Sequence, residues 1–207
     1  MTIVKSFLIT LFIALSVLGV LGLNNPVHQV IFTTFLPADS LSTDRQYLLA
    51  YFRGQSALDS FKFKANELGH IEDIKEALAH SQSVYLYLAV LFVLWQLIEI
   101  KRQKLKCWLT TWQRQLKIAS IIWPVMAIIF VLAFEPLFIF FHQIVFPGGN
   151  WLFDPATDLI ILLYPPQFFF FFVMVWAILT EMVIGGLCCL IIFLIPAGSI
   201  WPPRPDQ

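Results

Sequence analysis

The sequence predicts an all-α membrane protein: four transmembrane helices with an extracytoplasmic cap. Three observations predict it. Hydrophobic residues make up 59% of the 207-residue chain and charged residues 13%. Several apolar runs reach the roughly 20 residues with which a helix crosses a bilayer. Two polar stretches separate those runs, one long and mixed in charge, the other short and basic. The chain is too short for most transporter architectures but long enough for a small bundle with one extramembrane insert. Its net charge of zero gives no reason to expect a nucleic-acid partner.

The first span is expected at about residues 6–23. Lys5 and an apolar stretch ending near Gly22 also have the outline of a signal peptide. The run is long for one, however, and no Ala-x-Ala site precedes Asn24, so an uncleaved anchor is expected. A cap follows over about residues 24–82. Within it Asn24, Asn25 and Pro26 end the span, IFTTFL reads as a short strand, and Pro37 to Thr43 forms a turn-rich link. DRQYLLAYFRG reads as a short helix stopped by Gly54, and FKFKANELGHIEDIKEALAHS as a second helix running on into the second span, about 83–100. The stretch at about 101–117 contains Lys101, Arg102, Lys104, Lys106, Arg114 and Lys117 with no acid. The positive-inside rule assigns it to the cytoplasm, which puts both termini inside and the cap outside. A third span is expected at about 118–145 and a fourth at about 168–195, with an outer loop over about 146–167 between them. In that loop Pro147, Gly148 and Gly149 end the third span, and Asp154 before Pro155 reads as the N-cap of a helix over about 155–163. Pro165 and Pro166 stop it. Trp151 and Tyr164 are expected at headgroup depth, roofing a lateral opening.

All four histidines fall on the outer side of this topology. Two neutral imidazoles near one another can act as base and acid, bind a metal or ligate a haem. His28 and His80 have no context beyond that of interfacial polar residues. His70 lies in ELGHIEDIK, where Glu67 and Asp73 sit three residues to either side on one helical face and offer a carboxylate to fix its tautomer. Acids near a helix start also favour the macrodipole, which accounts for Glu67 and Glu72 better than for His70. His142 lies in FFHQIVF, leaving the membrane among aromatic residues, where its pKa suits proton transfer in either direction. Phe140, Phe141, Phe146, Trp151, Phe153 and the five phenylalanines from Phe168 to Phe172 flank this mouth. Glu135 falls two turns before His142 on nearly the same face; Glu99 is expected to pair with neighbouring lysines, and Glu181 to make a contact inside the bundle. Cys107, Cys188 and Cys189 supply no external Cys-x-x-Cys, which argues against a thiol oxidoreductase. The sequence has no G-x-S-x-G elbow, P-loop or His-Glu-x-x-His motif.

ELGHIEDIK in the cap, FFHQIVFPGGNWLFDPATDLIILLYPPQFF around the last two spans, the four-span plan and the tyrosine-bearing RQYLLAYFRG resemble the bacterial lipoprotein intramolecular transacylase family. The pattern departs from the family in having Ile71 where methionine is expected and in the loose Pro-Gly-Gly-Asn before Trp151. The resemblance implies that His70 and His142 are the catalytic pair. It makes Asp73, Asn150, Trp151, Asp154, Asp158 and Tyr47 candidates for supporting the site or binding substrate. It also implies a multi-pass protein of the bacterial cytoplasmic membrane with its site on the outer face. The implied reaction needs no cofactor and no metal: the acyl chain at the sn-2 ester of a lipoprotein's diacylglyceryl group moves to the α-amino group of the N-terminal cysteine, giving the N-acyl lyso form. His142 is favoured as the base, being nearer the acyl chains. Two other readings compete, a non-catalytic lipid- or lipoprotein-binding membrane protein and a haem- or metal-binding one.

Overall fold

The computed structural model describes residues 2–37 and 40–194. Among these it contains helices α1 (Thr2–Leu21), α2 (Asn25–Phe35), α3 (Ser42–Phe52), α4 (Ala65–Arg102), α5 (Leu105–Leu132), α6 (Phe134–Val145), α7 (Leu159–Leu163) and α8 (Pro166–Leu194), with a 3-10 turn at Ser60–Lys62. Four of them, α1, α4, α5 and α8, are long and apolar enough to cross a membrane.

Helices α1, α5 and α8 form the core of the bundle, burying Ile9, Ile13, Ala14, Leu116, Ala119, Trp123, Ile184 and Ile191 together. Two indole N–H groups tie the helices by donating to backbone carbonyls, Trp123 to Ala177 at 2.9 Å and Trp176 to Ala14 at 2.8 Å. In an apolar layer with no water to compete, such bonds also meet the need of each indole for an acceptor. Helix α4 lies at the rim, with Phe92 stacked on Phe12 at 4.0 Å and the Tyr85 hydroxyl donating to Ser16 at 2.9 Å. Near its far end Glu99 pairs with Lys5 of α1 at 2.9 Å rather than with the lysines that follow it in sequence.

The four long apolar helices fall where apolar runs were expected, with different bounds. Helix α5 begins at Leu105, so most of the basic stretch is helical. The expected third span is two helices meeting at Ala133. Pro136 accounts for the break, because its ring excludes the carbonyl of Leu132 and it has no N–H to donate. IFTTFL is not a strand: its first five residues belong to α2 and Leu36 is the C-cap. Asn24 accepts from the Val27 amide at 3.2 Å, Pro26 sits in the first turn, and His28, Ile31 and Phe32 face inward at helical spacing. The cap signal overrode the β-branched composition. Helix α3 ends as expected, with Gly54 at a φ of 71°. Part of the expected Pro37–Thr43 link, Ala38 and Asp39, lies outside the described residues, as does the end of the fourth span.

The helix expected over 155–163 is shorter and begins at Leu159. Asp154 makes a turn instead, accepting from the Ala156 amide at 2.9 Å through its side chain and from Thr157 at 3.0 Å through its carbonyl. The short α7 packs Ile160 and Leu163 against Leu48 of α3 and Ile71 of α4, forming a second core above the bundle. A third cluster, Ile31, Phe32 and Phe168, fastens α2 to the start of α8. Residues 65–82 of α4 carry Glu67, Glu72, Asp73, Lys75 and Glu76 before the apolar run from Val84. These turns are far more polar than the rest of α4.

Candidate active site

Glu67, buried to 1% exposure, anchors the start of α4, one turn before His70, to the start of α7. One carboxylate oxygen accepts from the Lys64 amide at 2.7 Å, capping α4, and the other from the Ile160 amide at 2.8 Å, holding the first turn of α7. Free N–H groups at two helix N-termini converge on one charge. Of the two readings the sequence offered for Glu67, a carboxylate beside His70 or an acid favouring a helix start, the second holds: its carboxylate is engaged with these amides. Lys64 also reaches Asp158, Nζ to Oδ1 at 2.7 Å, and the Asp154 amide donates to the other Asp158 oxygen at 2.8 Å. Asp154 and Asp158 thus shape the loop rather than face the histidines.

One turn after Glu67, His70 is 5% exposed. Its ring packs edge-on to Phe146 at 4.6 Å and lies 5.3 Å from Phe153, centroid to centroid. His142, in the last turn of α6, comes to 6.3 Å from it, with the two rings 29° from parallel. His142 is packed on Phe138 at 4.1 Å and Trp151 at 5.1 Å, and its Nδ1 lies 2.8 Å from the Phe138 carbonyl. Since a carbonyl only accepts, that nitrogen carries the proton and Nε2 is left for chemistry. Beside the pair, Asn150 Nδ2 donates to Asp73 Oδ2 at 2.7 Å.

Burial pushes the His70 pKa down to about 4, the neighbouring His142 adds to the fall, and Asp73 and Asn150 oppose it. His70 is therefore neutral near pH 7 and able to accept a proton. Two imidazoles in a largely aromatic wall can pass protons to and from an apolar substrate while keeping bulk water away.

The remaining candidates are dispersed. Tyr47 is 64% exposed on α3 and is not brought to the pair. His80 is exposed, its Nδ1 3.0 Å from the Glu76 carbonyl. His28 is buried elsewhere, against Tyr164 and Phe168. Glu135 opens α6 below His142, and Glu181 lies in α8 with one buried oxygen lacking a hydrogen-bond partner. Sequence reasoning missed Phe138, which its position one turn before His142 would have identified, and the anchoring role of Glu67, which depends on a residue 93 positions away. Among the described residues no group of three or more His, Cys, Asp or Glu side chains could hold a metal ion. A cavity of about 270 Å³ between α2 and α3 shares none of its lining with the histidine pair.

The fold is that of a known membrane enzyme. The structure of the membrane integral lipoprotein intramolecular transacylase Lit from Bacillus cereus superposes with a TM-score of 0.63 at 18% identity, covering 94% of this chain and 97% of that one. A structure of the same enzyme with a histidine-to-alanine mutation gives 0.58 at 17% identity, covering 94% of each chain. No curated protein matches the chain. The family model described as lipoprotein intramolecular transacylase Lit matches residues 1–169, and so this chain, a membrane-integral acyltransferase, belongs to the lipoprotein intramolecular transacylase family.

Proposed function

We propose that the chain moves the acyl group from the sn-2 ester of a lipoprotein's diacylglyceryl group to the α-amino group of that lipoprotein's N-terminal cysteine, giving the N-acyl lyso form, with His70 and His142 as catalytic residues. The observation that carries this reading is the histidine pair itself: two largely enclosed imidazoles with centroids 6.3 Å apart, walled by Phe138, Phe146, Trp151 and Phe153.

The chemistry balances without water, electrons or a cofactor. The amine nitrogen attacks the ester carbon, the C–N bond forms and the C–O bond to glycerol breaks. The proton shed by the amine passes to an imidazole and then to the departing oxygen, which leaves as a free hydroxyl. An ester becomes a more stable amide, so no external energy source is required. An α-amino group has a pKa of about 7.7–8.0, within reach of a mild base. Because both reacting groups belong to one molecule, holding them in line supplies up to roughly 7–11 kcal/mol of the barrier. An aromatic wall suits that task, since it folds a two-chain lipid while excluding the water that would hydrolyse its ester. The Gly149 amide already donates to the Phe146 carbonyl at 3.2 Å. That leaves Gly148 as the neighbouring backbone donor for a developing oxyanion.

Exposed apolar residues lead to the pair along α6, among them Phe140, Phe141 and Ile144, giving acyl chains an approach from lipid. The basic stretch at 101–117, at the opposite end of the bundle, supports a site on the outer face of the bacterial cytoplasmic membrane with both termini inside. Mass spectrometry of lipoprotein N-terminal peptides, after expression in a host lacking the activity, tests the proposal. N-acyl, lyso-glyceryl cysteine is the expected product. Unaltered diacylglyceryl cysteine in the presence of folded protein supports a non-catalytic lipoprotein-binding role instead.

A further inference from the structure

We infer that Asn150 is a positioning residue that locks His70 in its Nδ1–H tautomer, so that protons enter and leave this ring at Nε2. The geometry stands by itself; the catalytic consequence rests on the transacylase reading above.

The argument begins at Asp73. An ionised carboxylate accepts hydrogen bonds and donates none, so the Asn150 atom 2.7 Å from Asp73 Oδ2 is necessarily its amide nitrogen. With Nδ2 fixed there, Oδ1 points the other way. That oxygen is buried and has no hydrogen-bond partner, and the same is true of His70 Nδ1. Asn150 lies against α4 beside His70: a Cβ added at Gly69, the residue before His70, would come within 3.7 Å of Asn150 Nδ2. Two orphaned buried atoms, one of which can only accept, are both satisfied if His70 Nδ1 carries a proton and donates it to Asn150 Oδ1. The direction in which the Asn150 side chain acts on His70, favouring the charged ring, agrees. Asp73 then acts on His70 through the amide rather than by touching the ring. Its charge polarises Asn150 and favours the imidazolium.

This makes the two histidines alike. His142 Nδ1–H is held by the Phe138 carbonyl, so both rings present an unprotonated Nε2 when neutral. A pair wired in this way holds two acceptors and no donor, so the first proton it handles comes from the substrate amine. The imidazolium formed there is the group that returns a proton to the glyceryl oxygen.

The test is ¹⁵N NMR of the full-length protein, labelled at the histidine rings, in lipid nanodiscs at pH 7, with the His70 signals assigned by their loss in His70→Gln. The expected wild-type spectrum has a protonated Nδ1 and an unprotonated, pyridine-type Nε2 at His70. Asn150→Leu should shift that ring toward the Nε2–H form and slow acyl transfer on the order of 10- to 100-fold. Asp73→Asn keeps an oxygen for Asn150 to donate to while removing the charge. It should preserve the tautomer, lower the ring's titration midpoint and slow transfer by less than Asn150→Leu does. An Nε2–H tautomer in the wild type, or a tautomer untouched by Asn150→Leu, overturns the inference. Should Asn150→Leu fail to fold, the wild-type spectrum and the Asp73→Asn titration decide alone. A wild-type protein with the expected tautomer but no acyl transfer would defeat the proposed function and leave the assignment of Asn150 standing.

Discussion

His28 and the His70–His142 pair are both imidazole sites walled by aromatic rings, yet their nitrogens are wired in opposite ways. The His28 ring lies 4.9 Å from Phe168 and 5.7 Å from Tyr164. Its Nε2 donates to the Gly22 carbonyl at 3.0 Å, and its Nδ1 accepts from the Tyr164 hydroxyl at 3.1 Å. Both nitrogens are therefore spent, and the ring is a strut joining the end of α1 to the approach to α8. At the pair, the Phe138 carbonyl holds His142 Nδ1, and on the tautomer inferred above Asn150 holds His70 Nδ1 likewise, which leaves each Nε2 open. Burial brings His28 down to about 4, the same value as His70. Aromatic packing and a depressed pKa thus describe both places and identify neither as catalytic. What separates them is an unengaged ring nitrogen together with a second imidazole whose centroid lies 6.3 Å away.

The largest expected effects test that distinction. His70→Ala and His142→Ala should each lower the rate of acyl transfer by about 10²- to 10⁴-fold, the range a positioned acid or base contributes. Their folded state should survive, because neither residue belongs to the three buried apolar clusters that hold the helices together. His28→Leu should do the reverse, keeping the rate within a few-fold while costing about 1–3 kcal/mol through the Tyr164 hydroxyl and Gly22 carbonyl left unpartnered. Time courses by mass spectrometry and thermal melting by tryptophan fluorescence read the two axes separately. A His28→Leu variant that melts normally but has lost the reaction would erase the difference between the sites.

How much of this was legible in the sequence depended on the range of the interactions involved. The four long apolar helices follow from local composition, and the Gly54 stop from a single residue's conformational freedom. His70 and His142 were identified through their flanking residues, and their approach to 6.3 Å is a tertiary fact consistent with that choice. The failures share a cause. IFTTFL looked like a strand because β-branched propensity was weighed without the Asn24–Pro26 cap in front of it. Asp154 looked like a helix cap because nothing local reveals that Glu67, far away in sequence, caps α7 in its place. Helical spacing left Glu67 two readings, beside His70 or at a helix start, and its two oxygens serve backbone amides at two helix starts. The second of those starts lies across the fold, where periodicity has nothing to say.

Glu67 offers the next test, because it supports the pair without entering it. Glu67→Ala strands the Lys64 and Ile160 amides and should cost about 2–4 kcal/mol, as expected for buried bonds to an ionised acceptor. Transfer should slow by less than in either histidine variant, since α7 loosens while His70 keeps its chemistry. The control is Lys64→Met, which removes an ion pair whose lysine side chain is 51% exposed and should shift stability by about 0–1 kcal/mol. Equal losses from the two substitutions would mean that the salt bridge, not the carboxylate between two helix starts, holds the loop over the site.

A subtler effect is one that both kinds of histidine should share. An unfolded histidine titrates near 6.5, whereas His28 and His70 in the folded protein stay neutral down to about 4. Between those values the unfolded chain binds protons that the folded chain refuses, so stability falls as pH drops through this window and levels off below it. From pH 7 to pH 5 each ring should account for about 1–2 kcal/mol of the loss. His28→Leu and His70→Ala should therefore flatten the acid dependence of melting by similar amounts, although only the second removes the reaction. Unequal flattening would mean that the two rings differ in burial as well as in wiring. Equal flattening isolates the open Nε2 as the difference that matters, because a pH profile of stability senses the cost of charging a buried ring and is blind to which nitrogen remains free.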